Sequence, residues 1–162
     1  MAIEIERKFL LSSDAWQLAV SHSVQIADGL LAASPAGKVR IRIMDGAATI
    51  TVKGARRGLV RDEFEYPIPL ADARDLFASH CAGVILEKTR HYVPHQGFVW
   101  EVDVYHGLLS GVVLAEVELA HADANVPLPP WLGAEVTGLA RYRKASLVAE
   151  ARARAGLVAL PD

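Results

Sequence analysis

The sequence predicts a protein of the α+β class, mainly β, built as a closed eight-stranded antiparallel β-barrel with helices packed outside it. Two observations favour this fold. About eight segments alternate between residue types with the period of two that a β-strand imposes. In nearly every one of them the charged residues fall in one phase and the apolar residues in the other. Strands of this kind form a wall with one polar face and one apolar face, which a barrel of this size can close around a small ligand.

Length, charge and cysteine content limit the alternatives. A chain of 162 residues is predicted to form a single domain over residues 1–162. The formal net charge of −2 favours neither a nucleic-acid partner nor a membrane partner. Cys81 is the only cysteine, so no intrachain disulfide can form, and the early glutamates argue against export. We therefore expect a cytoplasmic protein, and the sequence leaves its assembly open, with a homodimer as one alternative.

The first predicted strand covers residues 3–10, where residue types alternate. Glu4, Glu6 and Lys8 leave it on one face, because successive side chains of a strand point to opposite sides. Two carboxylates and an ammonium in a row would be costly in a dry core. The row makes sense where it lines a wet, charged cavity that holds a metal ion and an anion.

The next part of the chain adds a cationic strand and a hairpin. Lys38, Arg40 and Arg42 share one face of their strand, opposite valine and isoleucine. Asp45 and Gly46 then mark a tight hairpin turn, because both tolerate a positive φ angle. The strands of this part are predicted at 24–33, 38–43, 49–53 and 60–68.

The second half of the chain continues the alternation. Lys88 and Arg90 share a face in one strand, and Glu116 and Glu118 share a face in the last long strand. An apolar stripe and an alanine-rich tail predict two helices. The strands are expected at 84–94, 98–105 and 113–119, and the helices at 70–80 and 142–154.

Two interpretations of the charged faces are open. In the first, the charges face bulk solvent, and the apolar phase forms the core of an ordinary structural β-domain. In the second, the charges face the inside of a barrel, and the helices near 71–80 and 142–154 cover its apolar outer wall. The signs cluster by strand, cationic at 38–42 and acidic at 101–103 and 116–118. A solvated surface would gain little from such clustering, so we favour the inward orientation.

The clustered charges fit two parts of one ligand. Arginine side chains bind phosphate oxygens through two parallel hydrogen bonds, and lysines add point charges. Clustered carboxylates bind hard divalent cations such as Mg²⁺ or Mn²⁺ through oxygen atoms. A barrel that carries both groups inside would hold a metal-bound polyphosphate.

A series of short motifs resembles the successive tunnel-strand motifs of the CYTH superfamily, the triphosphate tunnel metalloenzymes. The motifs occur in the family's order and lie at 4–10, 39–42, 51–53, 63–65, 87–90, 101–104 and 116–118. Residues 131–137 and 141–142 resemble the family's C-terminal segment. The similarity covers about residues 3–148, and the chain looks most like the short bacterial tripolyphosphatases.

This resemblance implies an enzyme that hydrolyses a triphosphate, with inorganic tripolyphosphate as the favoured substrate and Mg²⁺ or Mn²⁺ as the cofactor. Catalysis would then rest on positioning and on neutralising the charge of the phosphates. Carried over residue by residue, the resemblance assigns catalysis to Glu4, Glu6 and Lys8, the metal ion to Glu4, Glu6, Glu63, Glu116 and Glu118, and the phosphates to Lys8, Arg40, Arg42, Lys53, Arg61, Lys88 and Arg90. Further candidates are Glu65, Glu101, Asp103 and Arg141.

The chain departs from the family pattern at a few positions. Where the family often has a Gln-Gly-Tyr-Leu run, this chain has Asp28, Gly29, Leu30 and Leu31. The tyrosine hydroxyl is therefore absent. These changes bear on how the tunnel mouth closes and on which substrate is preferred. The other departures are Leu139, Ala140 and Lys144.

Other functions stay open beside tripolyphosphate hydrolysis. The same site could cyclise ATP, as in the class IV adenylyl cyclases that resemble this family, or cleave thiamine triphosphate. A non-catalytic polyphosphate- or nucleotide-binding module would bind the same ligands without turnover. A comparison of several triphosphates as substrates would separate these alternatives.

Overall fold

A computed structural model describes residues 3–81 and 83–156 of the chain. The described residues form nine β-strands, two α-helices and three short 3₁₀ helices. None of these helices has the length and apolar character that crossing a membrane requires. The strands are β1 (Ile3–Leu11), β2 (His22–Ser34), β3 (Gly37–Met44), β4 (Ala47–Gly54), β5 (Val60–Ile68), β6 (Ile85–His95), β7 (Phe98–Tyr105), β8 (Val113–Glu118) and β9 (Leu132–Glu135). The α-helices are α1 (Leu70–Ser79) and α2 (Lys144–Arg154), and the 3₁₀ helices cover Ala15–Ala19, Gly107–Leu109 and Ala140–Tyr142.

Eight of the strands close into a barrel. Neighbouring strands follow the order β5-β4-β3-β2-β6-β7-β8-β1, and β1 also pairs with β5, which joins the two ends of the sheet. The pairings between these strands are antiparallel. The short strand β9, which the alternation did not predict, pairs with β1 outside this ring. The predicted fold class is therefore confirmed.

The β3–β4 hairpin sets the register of the cationic strand. Asp45 and Gly46 have φ angles of 48° and 78°, and a type I′ turn requires positive φ at both central residues. Arg42 therefore stands opposite Thr49 on the neighbouring strand. With this register, the polar phases of β3 and β4 face the same side of the sheet.

The apolar outer wall of β1, β7 and β8 is covered by irregular segments. Trp100, Val102 and Val117 are almost completely buried on this wall. Trp16, from the first 3₁₀ helix, and Trp131, from the loop before β9, belong to the same buried cluster. The rings of Trp100 and Trp131 pack edge-on, with their centroids 5.9 Å apart. Burying this wall stabilises the barrel by about 25 cal/mol for each Å² of apolar surface removed from water.

Helix α1 covers the outer wall of β3 and β4, as the sequence predicts. Ala73 of the helix is fully buried against Ile41 and Ala48, and Leu76 and Phe77 pack at the edge of this cluster. The small side chain at position 73 lets the helix approach the sheet closely. The apolar phase of these strands is thereby removed from solvent.

Helix α2 does not cover the outer wall, contrary to our expectation for the helix at 142–154. It packs on Leu10, Leu86, Tyr105 and Leu114, which we call the apolar floor. Each of these residues lies two positions from a charged residue of the inner phase, so it also points into the barrel. They stand at the same end of four neighbouring antiparallel strands. The helix therefore lies across one end of the bore.

Replacing Trp131 with alanine should lower the free energy of unfolding by about 3–5 kcal/mol, because a buried aromatic side chain and its packing against Trp100 are lost. Urea unfolding followed by circular dichroism measures this change. Leu18, which is 94% exposed, gives the matched control, and Leu18→Ala should change stability by no more than about 0.5 kcal/mol. Equal effects of the two substitutions would contradict the role of Trp131 in covering the wall.

Candidate active site

The barrel encloses a charged cavity of about 630 Å³. Strand residues of the charged phase line about half of it, together with residues 33–35, 37, 54–56, 136–139 and 142–145. The inward orientation predicted from the alternation is therefore confirmed. The charged residues of the lining are Glu4, Glu6, Lys8, Lys38, Arg40, Arg42, Lys53, Arg56, Arg61, Glu63, Glu65, Arg90, Glu101, Glu116, Glu118, Arg143 and Lys144.

Cationic and acidic strands face each other across this cavity. The ring leads from β3 to β8 by β2, β6 and β7 in one direction and by β4, β5 and β1 in the other, so the two strands stand on opposite walls. Lys38, Arg40 and Arg42 line the wall at β3, and Glu116 and Glu118 line the wall at β8. A ligand that is anionic on one side and carries a metal ion on the other would meet complementary charge on both walls.

Opposite charges in the cavity also pair directly with one another. Lys53 donates hydrogen bonds to Glu4 at 2.9 Å and to Glu63 at 2.6 Å. The Lys8 ammonium lies 2.9 Å from a carboxylate oxygen of Glu116. These pairs offset the cost of removing the charges from bulk water. A bound phosphate could replace the glutamate partner of a lysine, and a bound metal ion could replace the lysine partner of a glutamate.

The carboxylates of the cavity repel one another. Burial raises the pKa of Glu6, and the neighbouring Glu116 and Glu4 raise it further. Burial and a hydrogen bond with Glu4 likewise raise the pKa of Glu63. Burial alone would raise the pKa of Glu4 as well, but Lys53, Arg61 and a hydrogen bond with Glu63 together outweigh it and hold this pKa below its ordinary value. A cation placed near Glu6 would relieve the repulsion.

The chemistry of these carboxylates fits a divalent metal ion, because Mg²⁺ and Mn²⁺ prefer oxygen ligands. Within residues 3–81 and 83–156, no three Asp, Glu, His or Cys side chains are gathered into a metal site. Cations hold the candidate ligands apart, since Arg61 donates to Glu4 and Arg56 donates to Glu6. Metal binding would therefore exchange these ion pairs for metal–oxygen contacts.

Two cations of β3 are incompletely compensated. Burial and the nearby cations Arg61 and Lys53 lower the pKa of Lys38 to about 8. Arg40 is only 8% exposed, and its Nε has no hydrogen-bond partner among the described residues. An anion bound between these side chains would supply an acceptor for Arg40 and favour the charged form of Lys38.

Three of the residues predicted from the sequence lie away from the cavity lining. Lys88 and Asp103 are buried beside it, where Asp103 accepts hydrogen bonds from Lys88 and, at 2.7 and 2.8 Å, from Arg90. Arg141 is on the surface, and its guanidinium lies 3.6 Å from Glu150. The other predicted site residues line the cavity.

The structure also brings residues into the cavity that received no role from the sequence. Lys38 is in phase with Arg40, so the alternation alone could have assigned it. Arg56 reaches Glu6 from a loop, where no periodicity applies. Lys144 enters the lining from the start of α2, and no sequence pattern brings that helix to the end of the bore.

Comparison with known protein families identifies the family to which this chain belongs. The sequence matches the CYTH domain model over residues 2–151, which is nearly the whole chain. The chain belongs to the CYTH domain family. This confirms the family that the strand motifs indicated. Triphosphatases of the CYTH family generally depend on a divalent metal ion, in agreement with the carboxylate oxygens of the cavity.

Two curated relatives resemble the chain over most of their length. A protein of Acetivibrio thermocellus named inorganic triphosphatase is 37% identical over 148 residues, which cover 91% of this chain and 94% of that protein. A protein of Nitrosomonas europaea with the same name is 34% identical over 150 residues, which cover 89% of this chain and 95% of that protein.

Solved structures of related proteins support the same fold. A crystal structure of an inorganic triphosphatase matches with a TM-score of 0.63 and 32% identity, over 90% of this chain and 97% of that one. A putative adenylyl cyclase from Hippeastrum matches with a TM-score of 0.54 and 15% identity, over 75% of this chain and 80% of that one. At that identity the second match is evidence for the CYTH fold alone.

Lys38 should titrate near pH 8 in the folded protein. The unfolded chain keeps this proton up to about pH 10.5, the ordinary lysine value. Between these two pH values the unfolded chain therefore binds more protons, and the Lys38 contribution to the free energy of unfolding rises with pH. Lysine side-chain NMR measures the titration, with Lys38→Arg assigning the resonance. A midpoint near the ordinary lysine value would contradict the crowding of cations at β3.

Proposed function

We propose that this chain hydrolyses inorganic tripolyphosphate inside its bore with the help of a divalent metal ion. The observation that carries this proposal is the pair of facing walls, one cationic at β3 and one acidic at β8, in a cavity of about 630 Å³. Curated relatives that are 34% and 37% identical and match nearly full length are named inorganic triphosphatases. The charges and the family thus point to the same class of reaction.

The metal ion, Mg²⁺ or Mn²⁺, would be held by acidic side chains of β1, β5 and β8. When bound, it would neutralise charge on phosphate oxygens and lower the pKa of a coordinated water. Glu6 is central to this set because repulsion from Glu116 and Glu4 raises its pKa and a cation would remove that repulsion. The proposed metal ligands are Glu4, Glu6, Glu63, Glu116 and Glu118.

The cations of the bore would hold the phosphates in line for transfer. Arg40 offers a buried Nε that has no partner among the described residues, and Lys38 beside it joins the predicted set. Phosphoryl transfer depends mainly on positioning and on stabilising charge at the phosphate oxygens. The role of Lys88 as a phosphate ligand stays a prediction, because the hydrogen bond to Asp103 holds its ammonium behind the cavity lining. The other proposed phosphate ligands are Lys8, Arg42, Lys53, Arg61 and Arg90.

Of the two acidic residues of β7, Glu101 is the better placed to orient the attacking water. Asp103 is 1% exposed and is occupied by Lys88 and Arg90. Glu101 lines the cavity, and burial and Glu116 raise its pKa, which Arg90 opposes. A carboxylate with a raised pKa is the better proton acceptor, provided that it is ionised.

An inorganic substrate is favoured over an organic triphosphate by the composition of the lining. Among the described residues that line the charged cavity, Tyr142 is the only aromatic one. A nucleobase or a thiazole ring would gain from stacking on flat side chains, and the cavity offers little of this. Cyclisation of ATP and cleavage of thiamine triphosphate are therefore the second choices.

The single domain, the cytoplasmic location and the homodimer stay predictions.

A substrate comparison tests the proposed function. Phosphate release should be fastest from tripolyphosphate, slower from ATP and thiamine triphosphate, and absent when EDTA removes the divalent ion. Parallel assays with Mg²⁺ and Mn²⁺ identify the preferred metal. Binding of tripolyphosphate without turnover would instead favour a binding module, and conversion of ATP to cyclic AMP would favour the cyclase.

Glu6→Gln should abolish metal-dependent release of phosphate from tripolyphosphate while the protein stays folded. The substitution keeps the size of the side chain but removes the anionic oxygen proposed to hold the metal ion. Phosphate release and thermal unfolding of the same samples measure the two effects. Glu87→Gln is the matched control, because Glu87 is exposed on β6, and this variant should keep full activity. Turnover by the Glu6 variant at the rate of the parent would remove Glu6 from the mechanism.

A further inference from the structure

Asp28 is an acidic residue buried among cations at the edge of the charged cavity. It is 5% exposed. Arg42 donates to both of its carboxylate oxygens, from Nε at 2.7 Å and from Nη2 at 3.0 Å. Lys144 donates to Oδ2 at 3.0 Å, and Nε of Arg40 lies 3.7 Å from Oδ1. One carboxylate thus faces three cations.

This contact ends the row of cations along β3. Lys38, Arg40 and Arg42 follow one another on the inner face of the strand, about 6.6 Å apart. The fork of Arg42, the last of the three, is turned to Asp28, which leaves Nη1 as the guanidinium nitrogen not bonded to that carboxylate. A phosphate that reached Arg42 would therefore find Nη1 as its donor, and a phosphate beyond it would meet the Asp28 carboxylate.

The space beyond Asp28 is mostly apolar. A second pocket of about 680 Å³ adjoins the charged cavity; Arg40 and Lys144 line both, and Asp28 lines the second pocket beside them. Apart from Lys38 and Arg152, its remaining lining is mainly aliphatic and includes residues such as Leu30 and Val148. The cross-strand neighbour of Asp28 is Leu86 of the apolar floor. Further phosphates would meet the Asp28 carboxylate and aliphatic side chains in this region, without the facing charged walls of the bore.

We propose that Asp28 is a specificity-determining residue that limits the bore to short polyphosphates. The inference rests on the proposed function and deepens it. Tripolyphosphate would fill the cationic row as far as Nη1 of Arg42, and a longer chain would bring an additional phosphate against the buried carboxylate. A negative charge placed against the additional phosphate weakens binding of the longer chain. It has little effect on the affinity for tripolyphosphate, which does not reach it.

Asp28→Gln tests the inference, because glutamine is the residue that the CYTH pattern often has at this place. Isothermal titration calorimetry gives the dissociation constants of tripolyphosphate and of tetrapolyphosphate, with EDTA present so that neither is hydrolysed. The ratio of the tetrapolyphosphate constant to the tripolyphosphate constant should fall by about tenfold, a change of about 1.4 kcal/mol. Asp28→Asn serves the same purpose if the glutamine variant does not fold.

Lys144→Gln separates the effect of the Asp28 charge on ligand preference from the effect of the position of helix α2. This variant removes the contact of the helix with Asp28 but keeps the carboxylate, so the preference for tripolyphosphate should persist or increase. Asp45→Asn, in the exposed β3–β4 turn, is the control for the loss of one negative charge and should leave the ratio unchanged.

Two results would overturn the inference. One is an unchanged ratio of dissociation constants in folded Asp28→Gln or Asp28→Asn protein. The other is a relaxed preference in Lys144→Gln, which would assign the limit to the helix. The proposed function fails separately, if the parent protein does not release phosphate from tripolyphosphate when a divalent ion is present.

Discussion

The array of ion pairs inside the barrel makes its charged interior possible. Charges removed from bulk water are costly unless opposite charges and hydrogen bonds compensate them. Lys53 between Glu4 and Glu63, and Lys8 beside Glu116, supply this compensation. A ligand with a metal ion and phosphates carries the same two signs, so it can replace the internal partners one by one. The paired opposite charges that stabilise the interior are therefore also the groups that would bind the ligand.

An interior built from charges reverses the usual arrangement of a β-barrel, because the apolar phase then points outward. Each part of the outer wall needs a cover that the barrel itself does not provide. Helix α1 covers β3 and β4, and the segments that carry Trp16 and Trp131 cover β1, β7 and β8. Helix α2 has another task, since it packs on the apolar floor and lies across the end of the bore. Stability and function are thus linked by the choice of which phase faces inward.

The sequence predicted the barrel and most of its lining because both follow from alternation along single strands. Glu4 and Glu6 could be assigned to the bore once the phase of β1 was known. Predictions were weaker where a residue has a strong local partner. Lys88 is in phase with Arg90, yet Asp103 holds its ammonium behind the lining. The phase gives the side of the sheet on which a side chain stands, and it says nothing of which neighbour binds it there.

Alternation along single strands is enough to predict the class of fold and the kind of ligand that the charges suit, and it favours their inward orientation, because a period of two is a local property of each strand. The position of the end of the bore follows from tertiary contacts. The contact of Lys144 with Asp28 joins residues separated by 116 positions, and no local pattern encodes it. Arg56 likewise reaches Glu6 from a loop 50 positions away. Contacts of this kind exist only after the barrel has closed, because closure is what brings loops and helix ends to the mouth of the cavity.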